Sequence, residues 1–397
     1  MSKTYIYLSR WDEFVGEPGL VKCEYVPETG EMKDPEIIDS VLRLNHMVIN
    51  REKNVLYINN EIGENPDFFK GGGGLIYAYS IDPKTGDLTQ ISRVPACCPC
   101  PSYLSLDPTG NYLICANHSG YNAVTKAVQL DNGTWGMQMI YDDATIDLFE
   151  LNADGSIGDL VDVSKHTGLN PKFLLHAHPH CAVWDPSGRF FAACDKGEDN
   201  IRLYRINYAD KKLEVIGSPY RDKPFSAPRY CVFHPEKPFL YVNHEQSTVL
   251  TSFRYGTDGS LEPVCSVNVL PDSITLPDMK GKSFKSFKPG EKPAQQTIAI
   301  SSDGRFIYDV INGKDIDGIS VFETDHEGGM RLIQYIKADG VWARGLVFAP
   351  DEKTLVLTCM DREGSVLTYM VNADGTLSPT GQRLKLPGAA FAAFYSA

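Results

Sequence analysis

Runs in which apolar and polar residues alternate recur from one end of the chain to the other, each closed by Gly, Pro, Asp or Asn. A period of two belongs to half-buried β-strands, and little of the sequence carries the helical period. The runs form a repeating unit of two halves. The first half is a strand, a turn and a second strand ending in small or polar residues: LNHMVINREKNVLYINNE (44–61), CPSYLSLDPTGNYLICANH (100–118), HPHCAVWDPSGRFFAACDK (178–196), APRYCVFHPEKPFLYVNHE (227–245), PAQQTIAISSDGRFIYDVIN (293–312) and WARGLVFAPDEKTLVLTCMD (342–361). The second half is a hairpin with an Asp/Gly turn, as in GLIYAYSIDPKTGDLTQIS, NIRLYRINYADKKLEVIG and SVLTYMVNADGTLSPTGQR.

With the N-terminal pair TYIYLSR and LVKCEYVPETGEM the units number seven, four strands each. That predicts an all-β fold, a seven-bladed β-propeller with four-stranded blades spanning residues 1–397. The segment 122–163 holds two hairpins in succession, so one unit carries an insertion. A long loop over 271–293, basic in composition, reads as a lid or surface loop. The tail FAAFYSA is the expected partner of TYIYLSR in a shared closing blade.

The formal charge of −13 argues against a nucleic-acid partner, because phosphate backbones are held by clustered Lys and Arg. No stretch approaches the roughly 20 apolar residues of a membrane span, and the start MSKTYIYLSRWDEF lacks a basic segment followed by an apolar core. A soluble cytoplasmic protein with reduced cysteines is expected. Of the ten cysteines only Cys97, Cys98 and Cys100 lie close in sequence, and no fourth zinc ligand accompanies them.

In HAHPHCAVWDPSGR the period-two spacing would put His176, His178 and His180 on one face of an extended strand. Spacing alone leaves metal binding, catalysis and packing open. The repeat places His180 at the channel strand and the residues before it in a connecting loop, which disfavours a three-histidine metal site. Polar residues recurring at the start or end of the first half-unit are the candidates, since the first strand of each blade lines the axial channel: His46, Glu61, Tyr103, Asn117, His118, His178, His180, Arg229, Tyr230, His244, Glu245, Gln296, Asn312 and Arg344.

HPHCAVWDPSGRF, the paired SAPRYCVFHPEKPFLYVNHE and the SSDGRFIY turn resemble the seven-bladed lactonase family, which includes bacterial 6-phosphogluconolactonases and fungal carboxymuconate lactonizing enzymes. The resemblance covers essentially the whole chain. It implies a catalytic core of His180, Glu245 and Arg229, with Arg344 as a further cation. His178, Tyr230, Asn117, His118, Asn312 and Lys314 are the expected substrate contacts. Two positions depart from the family pattern: Asn312 stands where an arginine is usual, with Lys314 the candidate replacement for its charge, and Tyr230 stands where histidine is frequent.

These residue types suit lactone opening on general grounds. Water attack on an ester carbonyl needs a proton acceptor and cationic donors for the developing oxyanion, and Arg229 offers a fork that could hold an anion. The expected ligand is a small anionic sugar acid or lactone, with no cofactor and no metal. Glu61, Asn117 and Glu245 could imitate the divalent-ion site of a different lactonase group. Cycloisomerisation or elimination on an anionic acid, and a non-enzymatic scaffold, are the alternatives.

Overall fold

The computed structural model describes residues 3–11, 19–40, 43–68, 70–120, 123–170, 175–223, 226–274, 276 and 292–396. Seven four-stranded antiparallel sheets follow one another, their innermost strands packed into a ring about a central axis: the chain is a seven-bladed β-propeller. Among the described residues there is no helix, and so none long and apolar enough to cross a membrane.

Closure uses both ends of the chain. Ala389–Ser396 is the inner strand of blade 1 and pairs with Thr4–Arg10, Tyr5 opposite Tyr395 and Leu8 opposite Ala392. Ser9 Oγ accepts from the Phe391 amide at 3.0 Å, bridging the pair where its register shifts between Leu8 and Arg10. Gly19–Val26 and Glu31–Asp39 complete the blade.

The inner and second strands of the remaining blades are Leu44–Asn50 and Val55–Asn60 (blade 2), Pro101–Leu106 and Tyr112–Asn117 (blade 3), Val183–Trp184 and Phe191–Asp195 (blade 4), Pro228–Phe233 and Phe239–His244 (blade 5), Ala294–Ile300 and Phe306–Asn312 (blade 6), and Ala343–Phe348 and Thr354–Cys359 (blade 7). The Asp-Pro-x-Gly sequences join two of these pairs. Asp107 accepts from the amides of Thr109, Asn111 and Tyr112, and Asp185 from those of Ser187, Arg189 and Phe190. Gly110 and Gly188 supply the φ of 66° that the turn needs.

The blades adhere through apolar faces. Fully buried Phe253 and Phe322 belong to one cluster that runs through blades 4 to 6 and reaches Met360 of blade 7 and Phe391 of blade 1, and each such ring contributes roughly 1.5–3 kcal/mol. In blade 3, Ala123–Gln129 and Trp135–Tyr141 form a separate two-stranded hairpin inserted between the second and third strands. Of the loop expected over 271–293, residues 275 and 277–291 lie outside the described residues.

One irregularity recurs and positions the candidate site. In blades 2, 5, 6 and 7 the inner strand carries an extra residue near its start: 44 pairs with 60 but 47 with 58, 228 with 244 but 231 with 242, 295 with 311 but 298 with 309, and 343 with 359 but 346 with 357. Such bulges re-aim side chains, and they set Asn45, Arg229, Gln296 and Arg344 at equivalent places. The amides freed by the bulge are satisfied in blade 5 by Asn243 Oδ1 on Tyr230 N (3.0 Å) and in blade 7 by Thr358 Oγ1 on Gly345 N (2.9 Å).

Candidate active site

Each second strand delivers its first following residue to the same end of the channel: Glu61, His118, Lys196 and Glu245 from blades 2 to 5. Facing them are the bulged inner-strand residues and His180, whose amide bonds Cys194 O at 2.8 Å. Two networks result.

In the first, the Glu61 carboxylate accepts from Asn45 Nδ2 at 2.5 Å and faces His118 Nε2 at 2.9 Å. The other His118 nitrogen lies 2.8 Å from Ser119 O. His118 stacks on His178 with centroids 4.7 Å apart, and its centroid lies 5.3 Å from that of His180. Ser119 Oγ bonds His176 Nε2, and the His176 ring stacks on Tyr141 of the inserted hairpin. In the second network Glu245 Oε2 receives both Arg229 Nε (2.8 Å) and Lys196 Nζ (2.9 Å). Arg229 also donates to Gln296 O at 3.2 Å, and Arg344 to Gln296 Oε1 at 2.8 Å.

Electrostatics separates the roles open to these groups. Burial alone would raise the Glu245 carboxyl, but Lys196 and Arg229 outweigh it and hold the group far below the usual carboxylate range. Glu61 is lowered too: burial opposes, and the bond and charge of His118 prevail. Burial, then the cations Arg229 and Lys196, drive the His180 imidazole well below its ordinary range, so it is neutral near pH 7. Burial similarly pushes Lys292, beside Glu245 and Lys196, down to about 8.

Between the two networks sit buried polar atoms with no hydrogen-bond partner among the described residues: His180 Nδ1, Tyr230 Oη and Arg344 Nε. Unsatisfied buried groups are costly, and Tyr230 lies near both His180 and Arg344, so a polar ligand bound beside them could complete these atoms' bonds. The Tyr230 ring is 5.5 Å from His180 and from Tyr103, with the Arg229 guanidinium 4.6 Å from its centroid. Tyr103 in turn stacks on His46 at 3.9 Å. Beyond this aromatic layer, at the other end of the channel, a cavity of about 350 Å³ is lined by His46, Tyr103, Tyr230, Cys231 and Arg51 among others.

The structure thus gathers His180, Glu245, Arg229, Arg344, His178, His118 and Tyr230. Three expected contacts are not gathered. Asn117 is turned into its own sheet, donating to Asp147 at 2.7 Å and Thr145 at 2.9 Å. Asn312 bonds Ala343 O at 3.2 Å, tying blade 6 to blade 7. Lys314 is exposed and has no bonded partner among the described residues. Arg344 is the cation from this side of the ring that lies near enough to His180 to depress its imidazole. The Glu61, Asn117 and Glu245 ion site does not assemble either, since Glu61 faces His118, Glu245 faces two cations and Asn117 points elsewhere. Lys196 was missed by the sequence reading, although it occupies the repeat position of Glu61, His118 and Glu245; Lys292 carried no such signal.

The model of the seven-bladed β-propeller lactonases matches residues 15–394. A Bacillus subtilis 6-phosphogluconolactonase is 24% identical over 376 residues, covering 94% of this chain and 93% of the relative. A Formosa agariphila 6-phosphogluconolactonase is 21% identical over 377 residues, covering 93% of each. Among solved structures, the periplasmic gluconolactonase PpgL of Pseudomonas aeruginosa superimposes with a TM-score of 0.80 at 21% identity, covering 99% of both chains, a likeness of fold.

Proposed function

The chain belongs to the seven-bladed β-propeller lactonase family and is a lactone hydrolase, and we propose that its substrate is the lactone of an anionic sugar acid, opened by water at the end of the channel that holds His180. The observation that carries this reading is the neutral, buried His180 with a nitrogen lacking a protein partner, set beside Arg344, Arg229 and Lys196. A neutral imidazole can take the proton of an attacking water; Glu245, locked under two cations, is a poor acceptor. Glu245 instead fixes Arg229 and Lys196 in place.

Among the described residues no carboxylate is hydrogen-bonded to Arg344, which donates to the Gln296 side-chain oxygen. Its charge is therefore available to the substrate's acid group or to the carbonyl oxygen as it becomes an oxyanion, and the Tyr230 hydroxyl can donate beside it. A bound anion offsets the cations that depress His180, so the base strengthens when the correct substrate is present. The lactone C–O bond breaks, the ring oxygen leaves as a hydroxyl, and one proton is released at neutral pH by the new carboxylic acid. A cytoplasmic location fits ten cysteines that are all free.

Product mass tests the reaction class. Hydrolysis adds one water to an aldonolactone such as 6-phosphogluconolactone; conversion with unchanged mass would overturn hydrolysis in favour of isomerisation.

A further inference from the structure

Cys97, Cys98 and Cys100, adjacent in sequence, do not converge, whereas Cys181, Cys194 and Cys231, from blades 4 and 5, do. Their sulfurs all lie within 4.8 Å of one another, with 3.8 Å between Cys181 and Cys231. The three are 0%, 0% and 2% exposed and sit in one apolar cluster with Phe190 and Phe233. Cys231 also lines the cavity of about 350 Å³ at the far end of the channel, which brings a solvent-filled space next to the cluster.

We propose that Cys181, Cys194 and Cys231 form a tris-thiol site for trivalent arsenic, and that its occupancy switches off the channel. A central atom ~2.3 Å from three sulfurs holds them about 4 Å apart when planar, and closer when pyramidal. Charge selects the ion. Three thiolates around a monovalent or divalent metal remain anionic, a state that apolar burial penalises, whereas three around a trivalent centre are neutral. Arsenous acid is itself uncharged at neutral pH, which suits entry through an aromatic-lined cavity. The exchange is As(OH)3 + 3 Cys–SH → As(S–Cys)3 + 3 H2O: three As–O and three S–H bonds break, three As–S and three O–H bonds form, and nothing is oxidised or reduced.

The site couples to the catalytic end because Cys181 directly follows His180 and Cys231 directly follows Tyr230. Drawing the sulfurs onto one atom moves both neighbours, and that step rests on the reading of His180 above. Sodium arsenite is the probe, read by native mass and by lactone turnover on the intact chain. One arsenic per chain is expected, reversed by excess dithiol, with turnover falling by roughly a hundredfold, the scale for a catalytic group displaced by about an ångström. Uptake should vanish in Cys194→Ala and persist in the Cys97→Ser/Cys100→Ser double variant. No uptake by the wild type, or uptake that follows Cys97 and Cys100, overturns the site; uptake with turnover unchanged overturns the switch. Because mass is read independently of turnover, failure of the lactonase reading would be recognised separately.

Discussion

Glu245→Gln keeps the shape of the side chain and removes its charge from between Arg229 and Lys196. Arg229 is 1% exposed and Lys196 11%, so solvent cannot replace the lost counter-ion. Breaking a buried pair by deleting one partner typically costs about 3–5 kcal/mol, because the surviving charge stays desolvated. Here two cations share the carboxylate, which places the variant toward the upper half of that range. With ~2.1 cal/mol/K of unfolding entropy per residue, 397 residues give about 0.8 kcal/mol/K, so ~4 kcal/mol corresponds to a fall in Tm of about 5 °C. Scanning calorimetry at pH 7 measures it, and a double-mutant cycle with Arg229→Met assigns the coupling to the pair. A fall below about 1 °C would refute the claim that this carboxylate anchors the cationic wall.

Titration and truncation give further tests. Burial raises Asp309 to about 8 from its ordinary value near 3.8, so its contribution to stability is full below the unfolded value and is lost as pH rises from about 4 to about 8; Asp309→Asn, which keeps the acceptor for Asn243, should flatten the dependence of the urea midpoint on pH in that window. His180, faced by Arg229, Lys196, His118 and Arg344, should place the acid limb of kcat/KM well below 6.5, with the limb in kcat shifted upward once an anionic substrate is bound; limbs at the same ordinary histidine value would contradict its assignment. Removing residues 388–397 deletes the inner strand of blade 1 and should lower Tm sharply, and an unchanged melting curve would contradict ring closure through that strand.

The propeller was legible because its signals are local. Alternation, Asp-Pro-x-Gly turns and Asp/Gly hairpins each report on a few consecutive residues, and Asp107 and Asp185 do what their sequence context implies. The site was legible only in part, because a residue's place at a strand end does not reveal which way the pleat and the bulge turn it. Glu245 and Asn117 both sit near the ends of second strands, yet one reaches the channel and the other is buried against Asp147. Lys196 closes its half-unit in the same column as Glu61, His118 and Glu245, so reading that column across all the blades would have found it. The three cysteines could not, since they meet through the packing of two blades.

The most direct test of the account is proton release in weak buffer at neutral pH with phosphorylated and unphosphorylated aldonolactones, comparing wild type with His180→Ala and Arg344→Ala. The account predicts release above the spontaneous rate by the wild type, a loss of about 10²–10⁴-fold in His180→Ala as for a missing general base, and a raised substrate requirement in Arg344→Ala. Release that survives loss of His180 undiminished would contradict it.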